Sequence, residues 1–286
     1  MLILPNRRRG FTLIEVMIAL VTLLVVAGAL HQLLLITQRL TRTQAHQMSL
    51  QSSVRAGYLV LTSELRELST MPGGASDQND ILHIAPSALT YRAMRGLGFV
   101  CQTTTAGEIR IGRSDFSGHR DPQPGRDTAY VWTGGNAAEL ERSWTPVAVS
   151  GVSTAHACPG ALGPGITLAV FSAAPVEGLE AGTPVRISEI MELRLYESED
   201  QSWLGVRSVS AGEAIQPVAG PLSAGNGLRL EYLNASGAPT TNLQDIKSIR
   251  VALRGTVEAA GGGTEIPGRL EEELRSQVTL RNAARQ

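Results

Sequence analysis

Glu15 is the one charged side chain between residues 11 and 30, in an apolar run that opens at Phe11. Arg7, Arg8, Arg9 and Gly10 stand immediately ahead of that run. A carboxylate inside a membrane-spanning helix costs about 2.5–3.5 kcal/mol on insertion scales, and such a residue usually has a partner. The chemistry this arrangement offers is ionic pairing in lipid. Cleavage between Gly10 and Phe11 would create an α-amino group four residues before Glu15. A cationic amine on a neighbouring copy can then pair with the carboxylate, which rewards packing of like helices side by side.

Elsewhere the residue types that do chemistry are scattered. Cys101 and Cys158 form no CxxC pair. Outside the cytoplasm, where disulfides persist, a bridge between them is the expectation, worth roughly 4 kcal/mol on a chain-entropy account. Two separate thiols are the alternative, because spacing alone does not bring α-carbons together. Asp77-Gln-Asn-Asp80 offers oxygen ligands but lacks the spacing and terminal glutamate of an EF-hand loop, so it reads as a solvated loop. His83, His119 and His156 stand alone, and no HExxH, GxSxG, GxxxxGK[ST] or GxGxxG pattern occurs. Gly151-Val-Ser-Thr-Ala lacks the final glycine of a nucleophile elbow, and Asn234-Ala-Ser236 is a glycosylation sequon in form only. Trp132, Trp144 and Trp203 are expected at packing contacts. The expectation is a protein without catalytic residues, metal site or cofactor. A net charge of −1 and an aromatic content of 4% argue against nucleic acid as a partner.

Three readings of the first segment compete. A disposable signal peptide would be cut near Ala27-Gly28-Ala29. A plain anchor would stay uncut. In the third reading the leader is removed after Gly10 and the apolar segment remains. The elements that follow favour the third. No proline occurs between Pro5 and Pro72, and Gly28 and Gly57 alone interrupt the run from Phe11 to Met71. Val54, Tyr58, Leu61, Leu65 and Leu68 make one apolar stripe at helical spacing, with Gln51, Ser52, Arg55, Ser63 and Arg66 on the other face. This predicts one helix of about 60 residues, roughly 90 Å long, apolar all round at first and amphipathic later. Pro72-Gly73-Gly74 ends it. Beyond, alternation at period two predicts short strands at 81–84, 88–92, 98–102, 108–111, 129–132, 146–149, 167–171 and 191–196. Further strands are predicted at 203–207, 228–233, 249–253 and 277–282, with 197–201 as a polar turn and Gly261-Gly-Gly as a hairpin tip.

Gly10-Phe11-Thr12-Leu13-Ile14-Glu15, behind a basic leader, resembles the prepilin peptidase motif of type IV pilins and type II secretion pseudopilins. The resemblance implies cleavage after Gly10, N-methylation of Phe11 and polymerisation through the helix. It also implies pairing of Glu15 with the Phe11 amine of an adjacent subunit. Residues 215–222, 227–237 and 248–255 are similar to PilW-type minor pilins and the J-type pseudopilin, subunits associated with the filament tip. Many major pilins break the apolar helix with a proline, whereas here Gly28 is its one weak point.

The fold class expected is α+β, a long helix packed on an antiparallel sheet. Residues 1–10 form a cytoplasmic leader held by the three arginines, 11–36 span the inner membrane, 37–71 form the amphipathic half, and 72–286 form a periplasmic or extracellular β-rich domain. The partners implied are prepilin peptidase and other minor and major pilins or pseudopilins. The rival is an exported enzyme or ligand-binding domain on a tether.

Overall fold

The computed structural model describes residues 11–70, 79–103, 107–133, 143–154, 158–159, 165–171, 179–258 and 269–281. Pro72-Gly73-Gly74, Asp77, His156 and Gly261–Gly263 lie outside them. One helix, α1 (Leu13–Glu67), extends over 55 residues, about 80 Å at 1.5 Å per residue. It stops before the expected Met71 because the next residues find other partners. The Ser69 amide and hydroxyl both donate to the Asp80 carboxylate at 2.8 Å. The Thr70 hydroxyl donates to the Ile246 carbonyl at 2.7 Å.

The strands in chain order are β1 (Ile81–Ala85), β2 (Ala88–Thr103), β3 (Glu108–Ile111), β4 (Ser117–Gly118), β5 (Asp127–Thr133), β6 (Ser143–Ser153) and β7 (Ile166–Phe171). Then come β8 (Pro184–Ser198), β9 (Gln201–Ser208), β10 (Gln216–Leu222), β11 (Leu228–Leu233), β12 (Ser248–Glu258) and β13 (Arg269–Thr279). The chain divides into two units, Met1–Ser49 with Glu258–Gly268 and Leu50–Val257 with Arg269–Gln286. In the first unit the helical residues are exposed, Thr43 alone being half-buried.

The second unit has two apolar cores. In the first, Leu50, Val54, Leu61 and Leu65 of α1 pack with Leu89 and Tyr91 of β2, Leu193 of β8, Leu204 of β9, and Val251 and Leu253 of β12. Burial of each such side chain is worth about 1.5–3 kcal/mol. Gly57 lets the helix come close, since a Cβ there would lie 2.4 Å from the Ala219 Cβ of β10. One turn earlier, the Ser53 hydroxyl donates to the Gly220 carbonyl at 2.7 Å and accepts the Gly220 amide at 3.0 Å.

The second core is the inside of a barrel. Strand β2 pairs with β3, β3 with β7, β7 with β6, β6 with β5, β5 with β8, and β8 again with β2. Those six antiparallel strands close a ring around Val100, Ile109, Ile111, Ala129, Val131, Val147, Ile166, Leu168, Val185 and Ile187. Two long strands serve both cores. β8 pairs with β5 through residues 185–189 and with β9 through 191–198, while β2 flanks it along 184–194. Closure solves the same problem that the helix solves elsewhere: it covers the apolar face of a sheet.

Several strand expectations change. The separate strands at 88–92 and 98–102 are one strand of 16 residues with a bulge between Met94 and Gly96. β8 starts at Pro184, well before Met191, because Glu189 interrupts the apolar alternation with a buried charge. β13 spans 269–279 in place of 277–282, its charged RLEEELR segment masking the period of two. Strands β4 and β10 lie outside the expected set.

Candidate assembly site

Thr12 starts α1. Its carbonyl accepts the Glu15 amide at 3.1 Å and the Val16 amide at 3.2 Å, and its Oγ1 accepts the Glu15 amide at 3.3 Å. Thr12 is therefore the N-cap and Glu15 the third helical residue, the spacing of a capping box. Sequence reading overlooked this Thr-x-x-Glu signal ahead of an apolar run, although the bond to Thr12 Oγ1 comes from the Glu15 backbone amide and leaves its carboxylate unused. In the first turn a carboxylate also meets the positive end of the helix dipole. Among the described residues the Glu15 carboxylate has no hydrogen-bond or ion-pair partner.

Phe11 is 82% exposed. Phe11, Glu15, Ala19 and Leu23, each four residues after the last, line one shallow recess along the helix with Val16 and Leu20. The segment is long and apolar enough to cross a bilayer. Its threonines are satisfied without water. The Thr22 hydroxyl reaches the Ile18 and Ala19 carbonyls at 3.0 and 2.9 Å, and Thr37 reaches Leu33 at 2.8 Å. Ala27-Gly28-Ala29 is plain helix, and a Cβ on Gly28 would meet nothing within 4 Å. Arg7, Arg8, Arg9 and Gly10 lie outside the described residues.

In the second unit, charged groups collect where the barrel meets the helix-covered sheet. Glu189, 2% exposed, sits where β8 changes partner from β5 to β9. It accepts Arg95 Nε at 2.9 Å, Arg120 Nη2 at 3.2 Å and Arg126 Nε at 2.5 Å. Arg95 is the extra residue of the β2 bulge, a device that re-aims a side chain. Its other face lies 3.5 Å from Glu64 of α1, which accepts the Tyr91 hydroxyl at 3.0 Å. Arg120 also holds buried Asp127 at 2.6 and 2.8 Å, and Arg126 reaches Glu213 at 2.7 Å. Burial would raise the Glu189 carboxyl. Hydrogen bonds from Ser208 and Arg95, with the charges of Arg95 and Arg126, outweigh it and hold the group below its ordinary value. For Asp80 burial prevails over Ser69 and Arg92, and its carboxyl is raised.

Cys101 and Cys158 form a disulfide with α-carbons 5.8 Å apart. Asp80 serves the helix end, and the Asn79 carbonyl accepts Arg92 Nη1 at 2.7 Å. No group of three His, Cys, Asp or Glu side chains able to hold a metal occurs among the described residues. His83 and His119 remain apart from any such group, and Asn234 Oδ1 accepts the Ser236 amide at 3.0 Å within a local turn. Trp203 packs over Gly220, and Trp132 pairs with Trp144.

A single helix, apolar and exposed in its first half and packed on an antiparallel sheet in its second, is the α+β, pilin-like arrangement. Residues 5–30 match the family described as the prokaryotic N-terminal methylation motif. Helix and motif together support a type IV pilin-like protein, processed by prepilin peptidase, anchored by its apolar segment and assembled with other pilins. No curated protein and no solved structure matches the chain.

Proposed function

We propose that the protein is a minor pilin or pseudopilin, of the PilW or J-pseudopilin type, that primes or caps a type IV pilus or a type II secretion pseudopilus. In this reading residues 1–10 are the cytoplasmic leader, 11–36 cross the inner membrane and 37–71 link to the β-rich domain beyond. Cleavage after Gly10 and methylation of Phe11 precede assembly, and Glu15 pairs with the Phe11 amine of a neighbour. The role is structural, without catalysis.

The observation that carries the reading is the exposed Glu15 carboxylate, unpartnered among the described residues, four positions after Phe11 on an apolar helix. The tip position draws support from bulk: a barrel added to the helix-covered sheet would crowd the closely spaced neighbours of a repeating shaft. N-terminal sequencing of the mature chain tests it. Methyl-Phe11 is the expected first residue. A start near Leu30 would leave no apolar helix to polymerise and would favour an exported ligand-binding or enzymatic domain.

A further inference from the structure

One row of side chains crosses the outer wall of the barrel. Phe99 of β2 stands opposite Pro184 of β8, and Trp132 of β5 opposite Trp144 of β6. Val131 pairs with Val185, which brings Trp132 alongside Pro184. Strand alternation turns this row outward, because Val100, Val131, Val147 and Val185 fill the interior. Phe99 is 44% exposed, while Pro184, Trp132 and Trp144 are half-buried. At about 4.8 Å between strands the row spans about 14 Å. The wet face of an antiparallel sheet is ordinarily polar, so an aromatic row on the outside of a barrel needs a reason.

Arg186 supplies a direction. It stands in the neighbouring row, and its guanidinium carbon lies 4.1 Å from the Trp144 ring centroid. Among the described residues it makes no hydrogen bond or ion pair. Burial first, and then repulsion from Arg281, hold the group below its usual pKa, with Asp80 opposing them. An anion seated on the guanidinium fork would relieve both. The two indoles are 5.1 Å apart and tilted by 59°, so a flat nucleobase cannot stack on both. Arg186 already lies over the Trp144 ring, so the aromatic faces left to a ligand are those of Trp132 and Phe99, and a pyranose can lie on each with its C–H bonds pointing at the electron-rich face.

We propose that this row binds an acidic oligosaccharide, with pyranose faces on Trp132 and Phe99 and a uronate carboxylate on the Arg186 fork. Bidentate, charge-assisted hydrogen bonds to a carboxylate are the contact that arginine makes and lysine does not. The binding is independent of processing at Phe11 and of filament assembly.

The test uses the full-length chain in detergent micelles, titrated with tri-galacturonate while tryptophan fluorescence is followed. Saturable binding is expected. Trp132→Ala and Arg186→Gln should each weaken it about tenfold or more, the loss of one charge-assisted contact or one stacking face. Trp203→Phe, away from the row, should keep wild-type affinity. Should Trp132→Ala fail to fold, Phe99→Ser at an exposed position carries the same expectation. Maltotriose, which lacks the carboxylate, should bind at least tenfold more weakly and be indifferent to Arg186→Gln. No saturable response, equal affinity for maltotriose, equally strong competition by poly-glutamate, or wild-type affinity in the variants would each overturn the proposal.

Discussion

The Glu15 amide donates to Thr12 Oγ1 at 3.3 Å, so the carboxylate of the apolar segment is also the third residue of its helix. The bond uses the backbone amide, which leaves the carboxylate itself for the proposed pairing with a neighbour's Phe11 amine. Glutamine tests the charge alone, because it suits the third helical position as well as glutamate does but carries no charge. Glu15→Gln should be inserted, cleaved and folded as the wild type, yet enter filaments at least about tenfold less, since removing one partner of a buried ion pair costs about 3–5 kcal/mol. Immunoblots of sheared filaments against membranes measure this. Normal incorporation of Glu15→Gln would show that assembly does not need the charge. Gly10→Ala should leave an uncut precursor on the same gels.

Gly57 looks like a weak point of the helix in sequence, and in the structure it is the point of closest approach. An alanine there would gain about 0.5–1 kcal/mol of helix propensity. Its Cβ would also meet the Ala219 Cβ at 2.4 Å and Leu253 Cδ2 at 3.2 Å. The Ala219 methyl cannot swing aside, so backbone must shift, an overpacking cost of about 1–3 kcal/mol. The second effect wins. Gly57→Ala should lower the denaturation midpoint of the β-rich domain, and a raised midpoint would show that helix and sheet part easily.

The β8–β9 hairpin is closed by Glu199 and Asp200, with φ of 52° and 58°, between the paired residues Ser198 and Gln201. Both lie in the left-handed region, as a two-residue type I′ turn requires, and Asn-Gly is the sequence that suits it. The left-handed conformation costs an ordinary L-residue about 1–2 kcal/mol. Replacing the pair with Glu199→Asn and Asp200→Gly should stabilise the domain by about 1 kcal/mol, read as a rise of about 2–4 °C in Tm. A lower Tm would mean that the turn has another geometry in solution.

The long helix and strands such as β3 and β11 were legible because each has one dry face, and burial writes its period into the residues. Leu50, Val54, Leu61 and Leu65 repeat at helical spacing because they meet a sheet. The barrel was not legible. Its closure depends on β2 and β8 running past the helix-covered sheet, and the residues there blur the pattern. Gly96 and Gly98 carry no side chain to alternate, and Arg95 is an inserted residue that breaks the register. Glu189 faces inward where an apolar residue would be expected. At the N-terminus the Gly10–Phe11–Glu15 spacing was plain, while the cap escaped notice because the unusual charge drew the whole explanation.

Glu189 binds three arginines from two neighbouring elements, and its loss should be felt where the barrel joins the sheet. Glu189→Ala leaves Arg95, Arg120 and Arg126 crowded without their shared counter-charge, a change worth about 3–5 kcal/mol. The pH dependence has a definite sign. The folded carboxyl lies below its ordinary value of 4.5, so the native state holds its proton less tightly than the unfolded chain does. The stabilisation is present above pH 4.5 and is lost as pH falls from there through the lower folded value. Asp80, raised in the fold, acts in the opposite sense and partly offsets the loss. Thermal unfolding of the full chain in detergent should show Tm declining below about pH 4.5 in the wild type. In Glu189→Gln, Tm should start lower and change less with acid. If the curves of the wild type and of Glu189→Gln fall in parallel, Glu189 is not the group whose protonation loosens the junction.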